Sequence, residues 1–309
     1  MRGVSLLKSL VSWVGSWITF IIALAVMAGF WFGCYMAVKT WAPEYLHYFD
    51  LGLWIAGGLA GVMLVFNEPI VVLATGASRV KEPLALGSER KLWNAVMAVS
   101  GSMMIKPRVY LLPDLGMNAI SFGWGIPFMS AVGATQGAVH SLSDEELQAV
   151  MAHEVGHILN KDILISTAMA ASVMVMALTG WLLMRVAPWT GGRRSSSSES
   201  SSGGIAILVF LVVGGVMYIF GRLLGSVLQA FVSRQREYVA DTTSARIMGS
   251  GEPLISALRK VTGYPSIGSD VAAAAVGFLC TADPNPEDMM ATHPSLSDRI
   301  YHLKDLSGE

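Results

Sequence analysis

The chain has 309 residues, 53% of them apolar and only 14% charged, with a net charge of −1 and a mean hydropathy of +0.54. That balance argues against two ordinary soluble domains and for a membrane protein. No basic field advertises nucleic acid, and two distant cysteines, Cys34 and Cys280, make neither a disulfide framework nor a cysteine zinc knuckle.

In chain order, four uncharged apolar runs approach or exceed the roughly 20 residues needed to cross a bilayer. They are Trp17 to Val38, Leu51 to Phe66, Ile163 to Met184 and Gly203 to Gly221. The second is followed by Asn67-Glu68-Pro69 and a further apolar piece to about Ala74. Arg2 and Lys8 precede the first run, which is too long for a signal-peptide core, so an uncleaved anchor is expected. Glu68 is expected at the membrane interface, its carboxylate reaching headgroup water. With four spans, sixteen Lys and Arg fall on one side and four on the other, which orients the polar bulk to the cytoplasm. Arg185, Arg193 and Arg194 disagree with that orientation, as they would if the second hairpin were shallow rather than fully spanning.

The boundaries that follow are an N-terminal transmembrane hairpin over 1–75 and a first polar part over 76–162. A second hairpin covers 163–232 and a second polar part 233–309. Gly- and Ser-rich residues 190–204 cannot bury apolar area and are expected as an exposed loop within the second hairpin. The polar parts read as mixed α and β, giving an α+β membrane protein. Pro107 to Leu112 and Asn118 to Phe122 are candidate strands. Ser143 caps a helix running to about Asn160, and the tail is helical in pieces broken at Gly249-Ser250-Gly251 and Pro284-Asn285-Pro286.

His153-Glu154-Val155-Gly156-His157 falls on the capped helix. Histidines four apart share one helical face, so both imidazoles can reach a single Zn²⁺, leaving room for a third ligand and water. Glu154 then sits beside the metal, where it can take a proton from the attacking water and pass it to a leaving amine. Incidental histidines on a capped surface helix are the plainer alternative.

Glu237-Tyr238-Val239-Ala240-Asp241 offers a third ligand, Glu237, and an acid four positions on, Asp241, that can fix the tautomer of a ligand imidazole. A solvated acid pair flanked by Arg234 and Arg236 is the competing reading. Glu199 and Glu252 are rival ligands, but one lies in the serine loop and the other between Gly251 and Pro253. His157 lies six positions before the third run, and Glu237 five positions after Val232, the last apolar residue of the fourth segment. A helical hairpin would bring the two to the same height, although Arg222 and Gln229 interrupt the apolar character of the fourth helix.

HEVGH followed by EYVAD, a membrane hairpin between them and two spans ahead of the first motif resembles the HtpX family of bacterial membrane zinc metalloproteases. These are gluzincins related to the CAAX prenyl protease. The likeness extends over nearly the whole chain, including Asp144 to Val150 and Thr292-His293-Pro294-Ser295-Leu296-Ser297-Asp298-Arg299-Ile300. It implies one Zn²⁺ held by His153, His157 and Glu237, with Glu154 catalytic. It also implies that His293 stabilises the tetrahedral intermediate and that Arg299 buttresses the site. Asn118, Ala119, Ile120 and Ser121 would form the strand beside the substrate cleft, where an extended peptide pairs with an edge. Ile120-Ser121 and Gly137-Ala138 depart from the family pattern, which bears on side-chain preference and not on the chemistry.

The function expected is endopeptidase cleavage of membrane or misfolded proteins at the cytoplasmic face of a bacterial inner membrane, in quality control under stress. Its partners are polypeptide substrates and the lipid bilayer. A non-catalytic scaffold or chaperone retaining the fold is the alternative, against which Glu154 argues. Charges at Asp144, Glu145, Glu146, Lys161 and Asp162 argue against a motif buried in the bilayer. A ligand cluster outside the spans argues against metal transport.

Overall fold

The structure, a computed structural model, describes residues 2–101, 103, 105–126, 128–190, 201–261 and 294–307. Its elements in chain order are α1 (Arg2–Trp41), α2 (Leu46–Val65), α3 (Asn67–Thr75), β1 (Ser78–Arg79), α4 (Gly87–Gly101), β2 (Arg108–Leu112), β3 (Ala119–Gly123), β4 (Ser130–Thr135), α5 (Gln136–Ser141), α6 (Asp144–Leu159), α7 (Asp162–Thr190), α8 (Ser201–Met248), α9 (Glu252–Val261) and α10 (Leu296–Ser307). Most of the serine tract, the Pro284-Asn285-Pro286 break and His293 lie outside the described residues.

Among the described residues, four helices are long and apolar enough to cross a membrane: Trp17–Trp41, Pro43–Val65, Asp162–Trp189 and Gly204–Leu223. The second begins earlier than the uncharged run because Glu44 and Asp50 are accommodated in its first turns. Thr19–Val65 and Thr167–Gln229 form one compact unit. Its core joins Phe49, Met169, Met176, Phe210 and Met217, and Phe30 stacks on Phe220 with ring centres 3.7 Å apart. Between α7 and α8 the backbones nearly touch. A Cβ on Gly180 would stand 2.5 Å from the Gly214 carbonyl oxygen, the close small-residue packing that associates helices in lipid.

The second unit comprises Met1–Ile18, Phe66–Ser166 and Ala230–Glu309. Its sheet has the order β1-β2-β4-β3, with β2 and β4 parallel and the other pairs antiparallel. Alternation puts Val109, Leu111, Ala119, Val132 and Ala134 into a core with Leu92 and Val96 of α4 and Leu147, Met151 and Val155 of α6. On the opposite face Tyr110, Leu112, Ile120, Phe122 and Ala131 pack with Val71 of α3. Sequence reasoning does not find β4, whose six residues are all buried and mostly small, without alternation.

Among the described strands β3 is an edge. The Thr135 N–H donates to the Asn118 carbonyl (3.0 Å), which sets the phase of pairing so that Ala119, Ser121 and Gly123 direct their backbone groups away from β4. Two of these positions are capped: the Ala119 N–H donates to Asn118 Oδ1 (2.9 Å) and the Gly123 N–H to Asn67 Oδ1 (2.8 Å).

Glu68 departs from expectation. Its carboxylate forms an ion pair with Arg108 and accepts a hydrogen bond from the Tyr110 hydroxyl (2.7 Å), so it ties α3 to β2, a role its neighbours in sequence do not show. Burial, reinforced by this carboxylate, pushes the Tyr110 hydroxyl up to about 12.

Candidate metal centre

Helix α6 starts at a reciprocal cap. The Glu146 N–H donates to Ser143 Oγ (3.2 Å) and the Ser143 N–H to Glu146 Oε2 (2.7 Å), which fixes the first turn. Glu146 also accepts from Lys260 Nζ and Ser256 Oγ of α9, each at 2.7 Å. Burial alone would raise its pKa, but these hydrogen bonds outweigh burial and hold it at about 2. From that anchored start the helix presents His153 and His157 on one face, one turn apart.

Between the two histidines Gly156 lets α8 cross closely. A Cβ at 156 would lie 3.2 Å from Thr243 Cβ and 3.4 Å from Ala240 Cα. Ser244 Oγ donates to the Ala149 carbonyl (2.7 Å) and fixes the same crossing. The crossing delivers Glu237 to both rings. His153 Nε2 and His157 Nε2 are 3.1 Å apart, and the Glu237 carboxylate straddles them, with Oε2 3.3 Å from the first and Oε1 3.4 Å from the second. The edge of a tetrahedral zinc site with bonds of about 2.0–2.1 Å is roughly 3.3–3.4 Å. These three residues can therefore hold one metal ion.

The other nitrogen of each ring supports that assignment. His153 Nδ1 is 2.9 Å from Asp241 Oδ1, and His157 Nδ1 is 2.9 Å from Asp162 Oδ2. A carboxylate accepts, so each Nδ1 carries the proton and each Nε2 directs its lone pair inward. Two lone pairs at 3.1 Å repel unless a cation or a proton is held between them. Burial would lower both imidazoles. Hydrogen bonds to Asp241 and Glu237 instead raise His153, and those to Asp162 and Glu237 push His157 up to about 10.

Arg299 of α10 completes the arrangement. Its Nε and Nη2 donate to the two Asp241 oxygens at 2.9 and 2.6 Å, and Nη1 lies 3.4 Å from Glu237 Oε2. Asp241 is held below its usual range; burial opposes this, but Arg299 prevails. The same acids, with Glu154, hold the guanidinium charged despite its burial.

The sequence-derived residues are thus placed as follows. His153, His157 and Glu237 converge, Asp241 and Arg299 stand behind them, and Glu154, 1% exposed, follows His153 on α6. Glu237 and Asp241 are buried, not a solvated pair, and Arg236 beside them is 3% exposed. Asn118, Ala119, Ile120 and Ser121 lie on or beside β3 and are buried, backbone included. Glu252 is exposed at the start of α9, and Glu199 and His293 lie outside the described residues.

Two participants escape sequence reasoning. Lys161, in the left-handed conformation at φ 62°, reverses the chain between α6 and α7 and returns Asp162 to His157. Arg236 donates to the Asp162 carbonyl (2.7 Å) and to Ser166 Oγ (2.7 Å), locking that return to α8. The available sign was an acid directly past the helix end, five positions after the second histidine.

With this geometry in view, comparison with known proteins is specific. Residues 90–307 match peptidase family M48. The chain is similar to a protease HtpX homolog of Listeria welshimeri, 32% identical over 89% of this chain and 91% of that protein. It is also similar to protease HtpX homologs of Tropheryma whipplei (30% identical, 85% and 87% covered) and Streptococcus uberis (33%, 81% and 84%).

Proposed function

Because the chain belongs to the HtpX proteases of peptidase family M48, and so is a membrane-associated metallopeptidase, we propose that it is a zinc endopeptidase whose metal is held by His153, His157 and Glu237. We place its catalytic domain at the cytoplasmic face of a bacterial inner membrane. Its substrates are membrane or misfolded polypeptides, in quality control under stress. The observation that carries the reading is the convergence of one ligand atom each from His153, His157 and Glu237, all within 4.8 Å of one another, with each imidazole oriented from behind by its own carboxylate. The excess of Lys and Arg in the polar segments supports the orientation.

When bound, Zn²⁺ supplies Lewis acidity for the scissile carbonyl and lowers the pKa of a nearby water. The protein supplies the rest. Asp241 and Asp162 hold the imidazoles in one tautomer and orientation. Arg299 offsets the buried charge of Asp241 and Glu237. Glu154 is the general base: its carboxylate takes a proton from the attacking water, then returns it to the departing amine. Strand β3 turns the Ser121 backbone away from β4, and that side is assigned to main-chain pairing with an extended substrate. His293 is assigned the oxyanion role on the family resemblance.

The test uses purified full-length protein in detergent with Zn²⁺ and casein. Glu154→Gln is expected to keep one zinc per chain and lose cleavage. Cleavage at the wild-type rate would refute the assignment of Glu154, and no cleavage by the wild type would favour a non-catalytic scaffold.

A further inference from the structure

The turn joining the substrate-edge strand β3 to β4 carries Trp124, Ile126, Phe128 and Met129, all exposed, with Phe128 at 74%. Four large apolar side chains on one tip exceed the scattered exposure normal for a soluble surface. The tip is nevertheless ordered by its own hydrogen bonds. The Trp124 N–H donates to the Met129 carbonyl (3.1 Å), the Met129 N–H to the Ile126 carbonyl (2.9 Å), and Ser130 Oγ to the same carbonyl (2.8 Å). These bonds hold the described residues of the turn in one shape, so that the apolar side chains are presented together.

What the tip touches identifies that medium. Gly125, at φ +66°, lies so close to the start of α7 that a Cβ there would stand 3.1 Å from the Leu164 backbone nitrogen and 3.6 Å from Ile163 Cβ. Asp162–Trp189 is one of the four helices able to cross a membrane, so the tip rests on the first turn of a span. Leu164, itself 46% exposed, continues the apolar patch from the tip onto that helix. Tryptophan and other aromatics at the ends of spans settle at the headgroup boundary.

We propose that residues 124–126 and 128–129 form a membrane-dipping hairpin tip, with Trp124, Ile126 and Phe128 entering the lipid interface beside the start of α7. The tip is the direct continuation of β3, so its insertion fixes the substrate edge next to the bilayer surface. Chain segments emerging from lipid then meet that edge before freely dissolved ones do. Insertion itself is independent of peptidase activity; only this consequence for substrate choice rests on the function proposed above.

The experiment therefore reads insertion in the full-length Glu154→Gln protein. A fluorophore is placed at Phe128→Cys, with Cys34 and Cys280 replaced by Ala, and the protein is reconstituted in vesicles carrying nitroxide on shallow acyl carbons. Glu145→Cys, an exposed site at the start of α6, serves as the aqueous reference. Quenching at 128 is expected to exceed that at 145 by about twofold or more, as for an interfacial aromatic. Equal quenching at the two sites would overturn the proposal. So would a signal at 128 that changes only when unfolded casein is added, which would make the tip a polypeptide-binding surface. Ile126→Cys, labelled in the same way, guards against a local effect of replacing Phe128 and is expected to give the same order.

Discussion

Arg236 reaches from α8 to the carbonyl of Asp162, 2.7 Å away, and so couples the acid that orients His157 to the helix that carries Glu237. One guanidinium thereby keeps two proposed ligands, His157 and Glu237, in register. Arg236→Lys retains a charge but cannot span both the Asp162 carbonyl and Ser166 Oγ. Zinc affinity, measured by competition with a chromophoric chelator, is expected to fall about 10-fold or more, in the range seen for outer partners of metal ligands. Unchanged affinity would show that the coupling is dispensable.

Asp241 serves both His153 and Arg299, so its removal has two separable effects. Asp241→Asn keeps the shape but weakens control of the His153 tautomer, and zinc affinity should drop about 10- to 100-fold. Asp241→Ala in addition strands a buried guanidinium, at a cost of about 3–5 kcal/mol. Chemical denaturation of the metal-free proteins separates the two, with the alanine variant expected to be clearly the less stable.

Gly156 is required by packing, not by backbone conformation. Gly156→Ala asks Thr243 and Ala240 to yield by a few tenths of an ångström, whereas Gly156→Val drives α8 away and carries Glu237 with it. The alanine variant should retain zinc at reduced affinity, and the valine variant should lose stoichiometric zinc while its helical circular dichroism persists. Full zinc occupancy in Gly156→Val would contradict this crossing geometry.

Glu146 predicts a limb in the acid stability profile. Its carboxyl sits at about 2 in the folded protein against 4.5 as an unperturbed group, so the unfolded chain binds its proton first as pH falls. The stabilisation it contributes is fully present above pH 4.5 and is lost as pH falls from there through about 2. Glu146→Gln should be less stable at neutral pH and should lack this part of the pH dependence. Lys260→Met, which removes a hydrogen-bond partner of Glu146, should shrink the same limb.

The legible parts of the molecule are those whose chemistry is local. HEVGH, EYVAD, the Ser143–Glu146 cap and the four apolar runs are each set by spacing along a single helix, and strands β2 and β3 by short apolar runs between breakers. What was not legible depends on distant partners. Strand β4 is buried on both faces, and a Cβ on its Gly133 would meet Leu112 Cδ1 at 2.7 Å, so it is built of small residues that show no period. Asp162 and Arg236 acquire their positions only when α6, α7 and α8 pack together. Glu68 looked interfacial from its neighbours in sequence, yet Arg108 and Tyr110, some forty positions on, supply the partners that hold it.

The most direct measurement is zinc K-edge X-ray absorption on the purified protein, paired with Glu237→Ala. The wild type should show two imidazole nitrogens plus oxygen ligands at about 2.0–2.1 Å. Glu237→Ala should lose stoichiometric zinc or, where zinc remains, show one fewer protein oxygen. An unchanged spectrum and full occupancy in Glu237→Ala, or sulfur in the coordination sphere, would mean that a different set of residues holds the metal.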